Sequence, residues 1–316
     1  VGLGQRVILP GGARPAGAPS ESLCPACGEL AALLEAAWRV RAERFPPEIR
    51  FVRPEATLSV SLTGTGCRLG CAHCGGHYLR RMAPLSEALE GSSPRSAAAT
   101  SFLVSGGCLE SGAVPFGPAL PELRRLKSRG RLNFHVGLVG EAGARSLEGL
   151  ADAVSFDLVG DDSTIREVLG LDRTVSDYRD SLRALRRHVR VVPHILVGLH
   201  GGVLRGERAA VELAASEGCE ELVFIVLIPT PGTRFEACRP PAAEDVVSLI
   251  AETRVALPSA ALGLGCMRPG GTYRSKLDPL AVRAGVQTLV QPSPQAIREA
   301  GALGLAPAWS RECCVL

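Results

Sequence analysis

The sequence predicts an α/β fold on a parallel sheet, a (β/α)8 TIM-like barrel or, if the last two strands are absent, an open (β/α)6 partial barrel. Three observations carry this expectation. Apolar runs alternate with amphipathic stretches along most of the 316 residues, the pattern of parallel strands joined by crossover helices. Eight strand-like runs recur at fairly even spacing, which suits a closed barrel. Chemically capable residues fall just after several of these runs, at the carboxyl ends where parallel barrels collect their sites.

Taken in order, residues 1–20 are rich in Gly, Pro and Ala and read as a loose arm. ELAALLEAAWRVRAERF (Glu29–Phe45) has apolar residues at helical spacing and stops at Pro46-Pro47, which predicts a helix. The predicted strands are Leu58–Leu62, Ser101–Val104, Leu132–Val136, Ala153–Phe156, Val189–Val197, Leu222–Ile228, Leu262–Gly265 and Val286–Val290. Amphipathic segments such as PELRRLKSRG, VSDYRDSLRALRRHV and GERAAVELAASEG lie between them. The expected division is an N-terminal extension over 1–52, a barrel over 53–295 and a C-terminal extension over 296–316. The ends of a barrel chain lie near each other, so the two extensions are expected to cover one mouth.

Composition excludes several classes. An apolar fraction of 46% supports a sizeable core and argues against disorder. Net charge is +3 with scattered arginines, so nucleic acid and anionic membrane are poor partners. No apolar run reaches the roughly 18 residues of a spanning helix, and the start lacks the long apolar core of a secretory signal. The sequence begins at Val1, so an initiator or short leader is expected ahead of it. Eleven cysteines in a long chain without a secretory signal point to metal ligands and a reducing cytoplasm rather than a disulfide framework.

The cysteines group. Cys67, Cys71 and Cys74 form C-x3-C-x2-C just after the run Thr57–Thr63. Three thiolates at this spacing can hold three corners of a [4Fe–4S] cube and leave one iron open. A zinc site fits worse, because zinc usually takes paired couplets or a couplet with histidines. Cys24 and Cys27 form C-x2-C, and Cys313 and Cys314 adjoin near the other end. Together these outer cysteines could ligate a second, auxiliary cluster. A zinc half-site, or a formal prenylation box in Cys-Cys-Val-Leu, competes with that reading. Adjacent cysteines in an extended chain point in different directions, so one of the pair could yield its place to Ser310 or another residue.

Other positions carry two readings each. Ser105-Gly106-Gly107 ends a strand and is either a turn or a close backbone approach. Asp157 at a strand end could bind hydroxyls at the barrel mouth or cap a helix. His194 could face the barrel interior or be a core histidine. Asp161 and Asp162 are expected to cap a helix, and Arg268 and Arg274 are candidates for anion contacts.

With its strand-following triplet, the chain resembles the radical S-adenosylmethionine (SAM) superfamily. GTGCRLGCAHCGGHYLRRM, FLVSGGCLESGAVPF, PHILVGLHGG, VFIVLIPTPGT and LGCMRPGGTYR resemble its biotin-synthase-like branch, and most of all a subunit of the two-component lipoyl synthases. The resemblance covers about residues 20–316. It implies a [4Fe–4S] cluster on Cys67, Cys71 and Cys74, whose open iron binds the amino and carboxylate groups of SAM and whose reduction yields a deoxyadenosyl radical. It implies that His73, which replaces the usual aromatic residue, lies near the adenine. Ser105, Gly106 and Gly107 would hold the SAM amino group by backbone, with Cys108 where an acidic residue is usual. Asp157 and His194 join this set as cofactor contacts. The implied reaction is sulfur insertion at C6 or C8 of an octanoyl chain on a lipoyl carrier protein, with the auxiliary cluster of Cys24, Cys27, Cys313 and Cys314 as sulfur donor. The implied partners are a paralogous radical SAM subunit, the octanoylated carrier and an electron donor. The alternatives are another biotin-synthase-like reaction, sulfur insertion or carbon-skeleton rearrangement, and a noncatalytic Fe–S partner subunit.

Overall fold

The computed structural model describes residues 25–316, with side chains described from residue 28. Helix α1 (Pro25–Arg44) precedes eleven strands: β1 (Glu48–Val52), β2 (Thr57–Ser61), β3 (Ala83–Pro84), β4 (Ser101–Ser105), β5 (Arg131–Phe134), β6 (Ala153–Asp157), β7 (Val191–Val197), β8 (Glu221–Val226), β9 (Ala261–Leu264), β10 (Thr288–Val290) and β11 (Ala306–Ser310). All eight predicted strands are present, as β2 and β4 to β10. The helix expected over Glu29–Phe45 is α1, and the other three amphipathic segments form helices over Leu120–Lys127, Val175–Arg186 and Glu207–Ser216.

Every strand pairing is parallel, in the order β11-β1-β10-β9-β8-β7-β6-β5-β4-β2-β3. In that order β1 and β2 stand near opposite ends of the sheet, yet only residues 53–56 join them. Four residues reach about 14 Å at full extension, so the sheet must curl until its ends approach. The result is an open sheet wound into a partial barrel. Residues 310–313 stitch its seam: the Arg53 N–H donates to the Ser310 carbonyl at 2.9 Å, the Ala56 N–H to Arg311 at 2.9 Å, and the Cys313 N–H to Thr57 Oγ1 at 2.8 Å.

Side chains alternate across the sheet as the pleat requires. Phe102, Leu132, Phe134, Leu222, Phe224 and Leu264 are buried in the layer shared with the helices. The opposite face carries Asn133, Ser155, Asp157, His194, Val223 and Ile225, and borders the enclosed lumen.

Three strands escaped sequence prediction. EIRFV (β1) is a short run set between Pro46-Pro47 and Arg53-Pro54. β3 has only two residues. β11 carries Pro307 and is exposed along most of its length, acceptable because it is an edge strand. β1 and β11 bring both expected extensions into the main sheet.

Arg268, a candidate anion contact in the sequence, is instead fully buried. Its Nε and Nη2 donate to Asp278 at 2.8 and 2.9 Å, Nη1 to the Gly265 carbonyl at 2.5 Å, and Nη2 also to Val290 at 2.8 Å. Asp278 also accepts the Ser293 N–H at 2.8 Å. This bidentate pair ties the segment after β9 to the end of β10 and to helix Gly271–Arg283. Arg274 stays near the surface and donates to the Arg268 carbonyl at 3.1 Å.

Removing one partner of a buried pair strands the other. Arg268→Ala is expected to cost about 3–5 kcal/mol, read as a lowered midpoint in urea unfolding. A change within a few tenths of a kcal/mol would show that the pair does not brace the sheet.

Candidate functional site

The triplet lies in the loop after β2. Gly64, Gly70, Gly75 and Gly76 take positive φ there, which lets the chain wrap a small volume. The Gly75 N–H donates to the Cys71 carbonyl at 2.9 Å and the His77 N–H to Cys74 at 2.7 Å. The loop is pinned from outside by the Ala72 N–H on Val168 at 2.7 Å and the Phe235 N–H on Ala72 at 3.1 Å.

Cys71, His73 and Cys74 bring their donor atoms within 4.8 Å of one another. Cys67 lines the same cavity, about 340 Å³ in volume, with Gly106, Gly107, Cys108, Asp157 and His194. Gly107 sets the position of Cys67: a Cβ there would lie 1.9 Å from the Gly66 carbonyl oxygen and 2.6 Å from Cys67 Cα. The Gly107 N–H donates to Thr63 Oγ1 at 2.7 Å, and the Arg68 N–H to the Cys108 carbonyl at 2.9 Å. Only glycine allows the strand-end turn to press this closely on the loop. Ser105 ends β4 and stays in the ladder, its carbonyl accepting from Leu62 at 2.8 Å; it does not line the cavity.

The thiols are electrostatically linked. The hydrogen bond between Cys71 and Cys74 holds Cys74 down at about 4, helped by His73 despite the opposing effect of burial. The same bond, with burial and neighbouring thiols, pushes Cys71 far up. Burial pushes Cys108 up to about 12. His73 has a buried Nδ1 with no hydrogen-bond partner. Soft thiol donors around a cavity, a close backbone turn and an orphaned imidazole nitrogen fit a [4Fe–4S] cluster with a polar ligand beside it.

Deeper in the lumen lies a polar cluster that the sequence showed only in part. Asp157 closes β6 beside His194 on β7, and His135, one residue past β5, puts Nδ1 3.8 Å from Asp157 Oδ2. The two imidazoles meet edge to face at 5.5 Å. Desolvation at the cavity wall would push Asp157 up, but the His135 imidazole beside it reverses this and its carboxyl stays below the ordinary range. Burial would lower His135, but Asp157 outweighs it and raises the imidazole. His194, desolvated and next to His135, is held down at about 4, with Nδ1 3.0 Å from the Val192 carbonyl. Both readings of His194 therefore hold: it is buried and it borders the cavity. Asp161 is a cap, accepting from the Thr164 N–H at 2.7 Å, and Asp162 accepts from Val175 at 2.7 Å. His135 was legible in principle, two residues after Asn133 on the same strand face.

The outer cysteines are only partly placed. Cys24 lies outside the described residues, as does the side chain of Cys27. Cys313 and Cys314 enter the lumen from the amino-terminal ends of the strands. There Arg50 donates to the Cys313 and Leu316 carbonyls at 3.2 and 3.1 Å, and Asn133 Nδ2 lies 3.4 Å from Cys313 Sγ. A larger open groove of about 1110 Å³ runs outside the barrel between the 111–117 loop and the helices Glu141–Ser146 and Val175–Arg186. It holds no thiol. Among the described residues no helix is long and apolar enough to cross a membrane.

No protein-family model matches the sequence, and no curated protein matches it either. Solved structures do match. Methylornithine synthase (PylB) aligns with a TM-score of 0.64 at 15% identity, over 89% of this chain and 90% of that one. The FeFe-hydrogenase maturase HydG from Carboxydothermus hydrogenoformans aligns at 0.62 and 16%, over 88% and 72%. The HMG-CoA lyase from Brucella melitensis aligns at 0.50 and 11%, over 85% and 94%. At these identities the likeness is one of fold, and the differing names show that this architecture does not fix a reaction. The chain shares with these structures a parallel, TIM-like partial-barrel fold, with thiols at its carboxyl-terminal mouth.

Two outcomes follow from this geometry. Gly107→Ala must displace the Cys67 backbone, so the variant is expected to lose most of its iron on anaerobic reconstitution; full iron loading would show that the contact does not position Cys67. The His135–Asp157 pair has a stability window with two edges. The raised His135 stabilises the fold below its unfolded value and loses this as pH rises through its folded pKa. The lowered Asp157 stabilises above its unfolded value and loses this as pH falls through its folded pKa. Histidine NMR should show His135 titrating above the usual imidazole value of about 6.5 and His194 near 4. Asp157→Asn should drop His135 while leaving its ring in place. An unchanged His135 titration would remove the pair.

Proposed function

We propose that this chain is a radical SAM enzyme, acting as one subunit of a two-component lipoyl synthase that inserts sulfur into an octanoyl chain on a lipoyl carrier protein. One observation carries the reading: Cys67, Cys71 and Cys74 border a single enclosed cavity, with the glycine turn of Gly106 and Gly107 against it. A [4Fe–4S] cluster with SAM, when bound there, supplies hydrogen abstraction from carbon that acid–base groups cannot activate.

The chain's own residues do the rest. Cys67, Cys71 and Cys74 hold the cluster, and His73 stands beside them with a free ring nitrogen for a polar ligand. Gly106 and Gly107 offer backbone at close approach. Asp157, kept ionised by His135, accepts hydrogen bonds from hydroxyl groups, and neutral His194 closes that wall. Leu158, Leu171, Leu196, Leu199 and Met267 give the cavity an apolar lining suited to an acyl chain, and they keep water from the reacting carbon. Positioning one methylene against the reactive group is the protein's main task.

The sulfur-insertion reading adds an auxiliary cluster on thiols of the lower lumen, a paralogous radical SAM subunit, the octanoylated carrier and an electron donor, all in a reducing cytoplasm. The barrel would span 53–295, with 1–52 and 296–316 as extensions that complete it.

The test is anaerobic incubation with SAM, a chemical reductant and an octanoyl-lysyl peptide, with and without a paired subunit. Deoxyadenosine and a thiolated peptide are the expected products by mass. The combined change Cys67→Ala, Cys71→Ala and Cys74→Ala should abolish both. No deoxyadenosine from the unaltered chain would sink the enzyme reading in favour of an Fe–S partner subunit. Deoxyadenosine without thiolation would keep the radical SAM class and reject the lipoyl assignment for another biotin-synthase-like reaction.

A further inference from the structure

Two spaces lie back to back on one side of the barrel. The cavity of about 340 Å³ carries the triplet, and the open groove of about 1110 Å³ runs outside it. Leu138 lines both. The wall between them is thin. On one side, the turn after β4 pairs with the chain after β5: the Val114 N–H donates to the Val136 carbonyl at 2.9 Å and the Leu138 N–H to the Gly112 carbonyl at 3.1 Å. Gly112 and Gly137 border the cavity, while Ala113 borders the groove. A Cβ on Gly137 would lie 2.1 Å from the Gly112 carbonyl oxygen, so glycine alone lets the two segments meet. On the other side, the helix Val175–Arg186 gives Tyr178 to the cavity, and Asp177 and Ser181 to the groove.

Leu138 and Leu171 meet over Gly112. A Cβ there would lie 3.2 Å from Leu138 Cδ1 and 3.4 Å from Leu171 Cδ1. The wall is thus closed at this point by two apolar side chains, which rotate far more easily than backbone moves. On the outer side, Val114, Phe116, Val139 and Ala142 give the groove an apolar floor. Its charges balance: Glu141, Asp177 and Asp180 against Arg173, Arg183 and Arg187. A free acid or a free amine would add an uncompensated charge, and an amide would not. Leu109 stands on the same turn, its N–H on the Ala113 carbonyl at 2.8 Å, and is 45% exposed. A protein surface seated beside the groove would cover it.

We propose that the groove receives the amide-linked acyl arm of a carrier protein, with the lysyl part lying along it and the acyl tail passing between Leu138 and Leu171 into the cavity. The identity of the arm rests on the acyl-carrier reading above; its route rests on the shared wall. Size supports the route. The cavity stands at the low end for small-molecule sites, and on that reading it already takes a cluster, SAM and the end of the chain. The remainder of the arm must lie outside, and the groove is the space that adjoins.

The experiment measures binding, so it does not depend on turnover. The full chain, reconstituted anaerobically with ferrous iron and sulfide, is titrated with a fluorescent octanoyl-lysyl peptide and read by anisotropy. Leu138→Trp fills the gap in the wall, and Ala142→Trp, at an exposed position, fills the groove. Each is expected to weaken binding about tenfold, the loss of about two buried methylenes, with unchanged far-ultraviolet circular dichroism. Val203→Ser, at an exposed site outside both spaces, should leave binding as it is. Free octanoate and the unacylated peptide should compete about tenfold less well than the octanoyl-lysyl peptide. Full-strength binding in both tryptophan variants overturns the route, and thiolation of the peptide by those same variants would show that the lipoyl reading survives without it. Equal competition by octanoate overturns the neutral arm. No binding of the peptide by the unaltered chain overturns the groove, while deoxyadenosine formation still decides the radical SAM class. If Leu138→Trp fails to fold, Ala142→Trp decides alone.

Discussion

The short link between β1 and β2 governs this molecule. Two strands at opposite ends of the sheet order are joined by residues 53–56, and no flat sheet can satisfy that. Curling turns one face of the sheet inward and makes the lumen. It also brings the start of β2 against the 310–313 segment, so the triplet loop and the tail cysteines become neighbours of one interior. Because every strand runs the same way, all carboxyl ends open at one mouth, and the loops with the triplet, the Gly106-Gly107 turn and Asp157 meet there.

Inside, the wall is chemically divided. β5, β6 and β7 contribute Asn133, His135, Ser155, Asp157 and His194. β8 contributes Val223 and Ile225, and β9 contributes glycines that leave room. The polar side satisfies itself in pairs: Asn133 with Ser155 at 3.0 Å, and His135 with Asp157. The imidazole favours the ionised form of the Asp157 carboxyl, which opens on the cavity. The apolar side gives up side-chain volume where the tail enters. Buried Arg268 braces this side from outside, holding the Gly265 carbonyl just past the end of β9.

Much of this was legible in the sequence because it depends on local chemistry. Apolar runs bounded by glycine and proline found β2 and β4 to β10, and thiol spacing found the triplet. Failures came where the signal is non-local. β1 and β11 are short and flanked or broken by proline, and only pairing with each other and with β10 makes them strands. Arg268 looks like a loop arginine until Asp278, ten residues on, turns inward on its helix. His135 and the tight fit of Gly107 on Cys67 likewise need two loops to be placed before either acquires meaning.

The stitched seam has a consequence for biosynthesis. The bond from Cys313 to Thr57 spans 256 positions, and that from Arg50 to Leu316 spans 266. Contacts of such separation form late and slowly. On a ribosome the barrel would remain an unsealed trough until residues 306–316 had emerged. The triplet loop would by then be long exposed, its thiols open to oxidation or stray metal. Loading of any cofactor thus belongs to the finished polypeptide, and a chaperone or scaffold that delivers it would meet a cup already shut along its side.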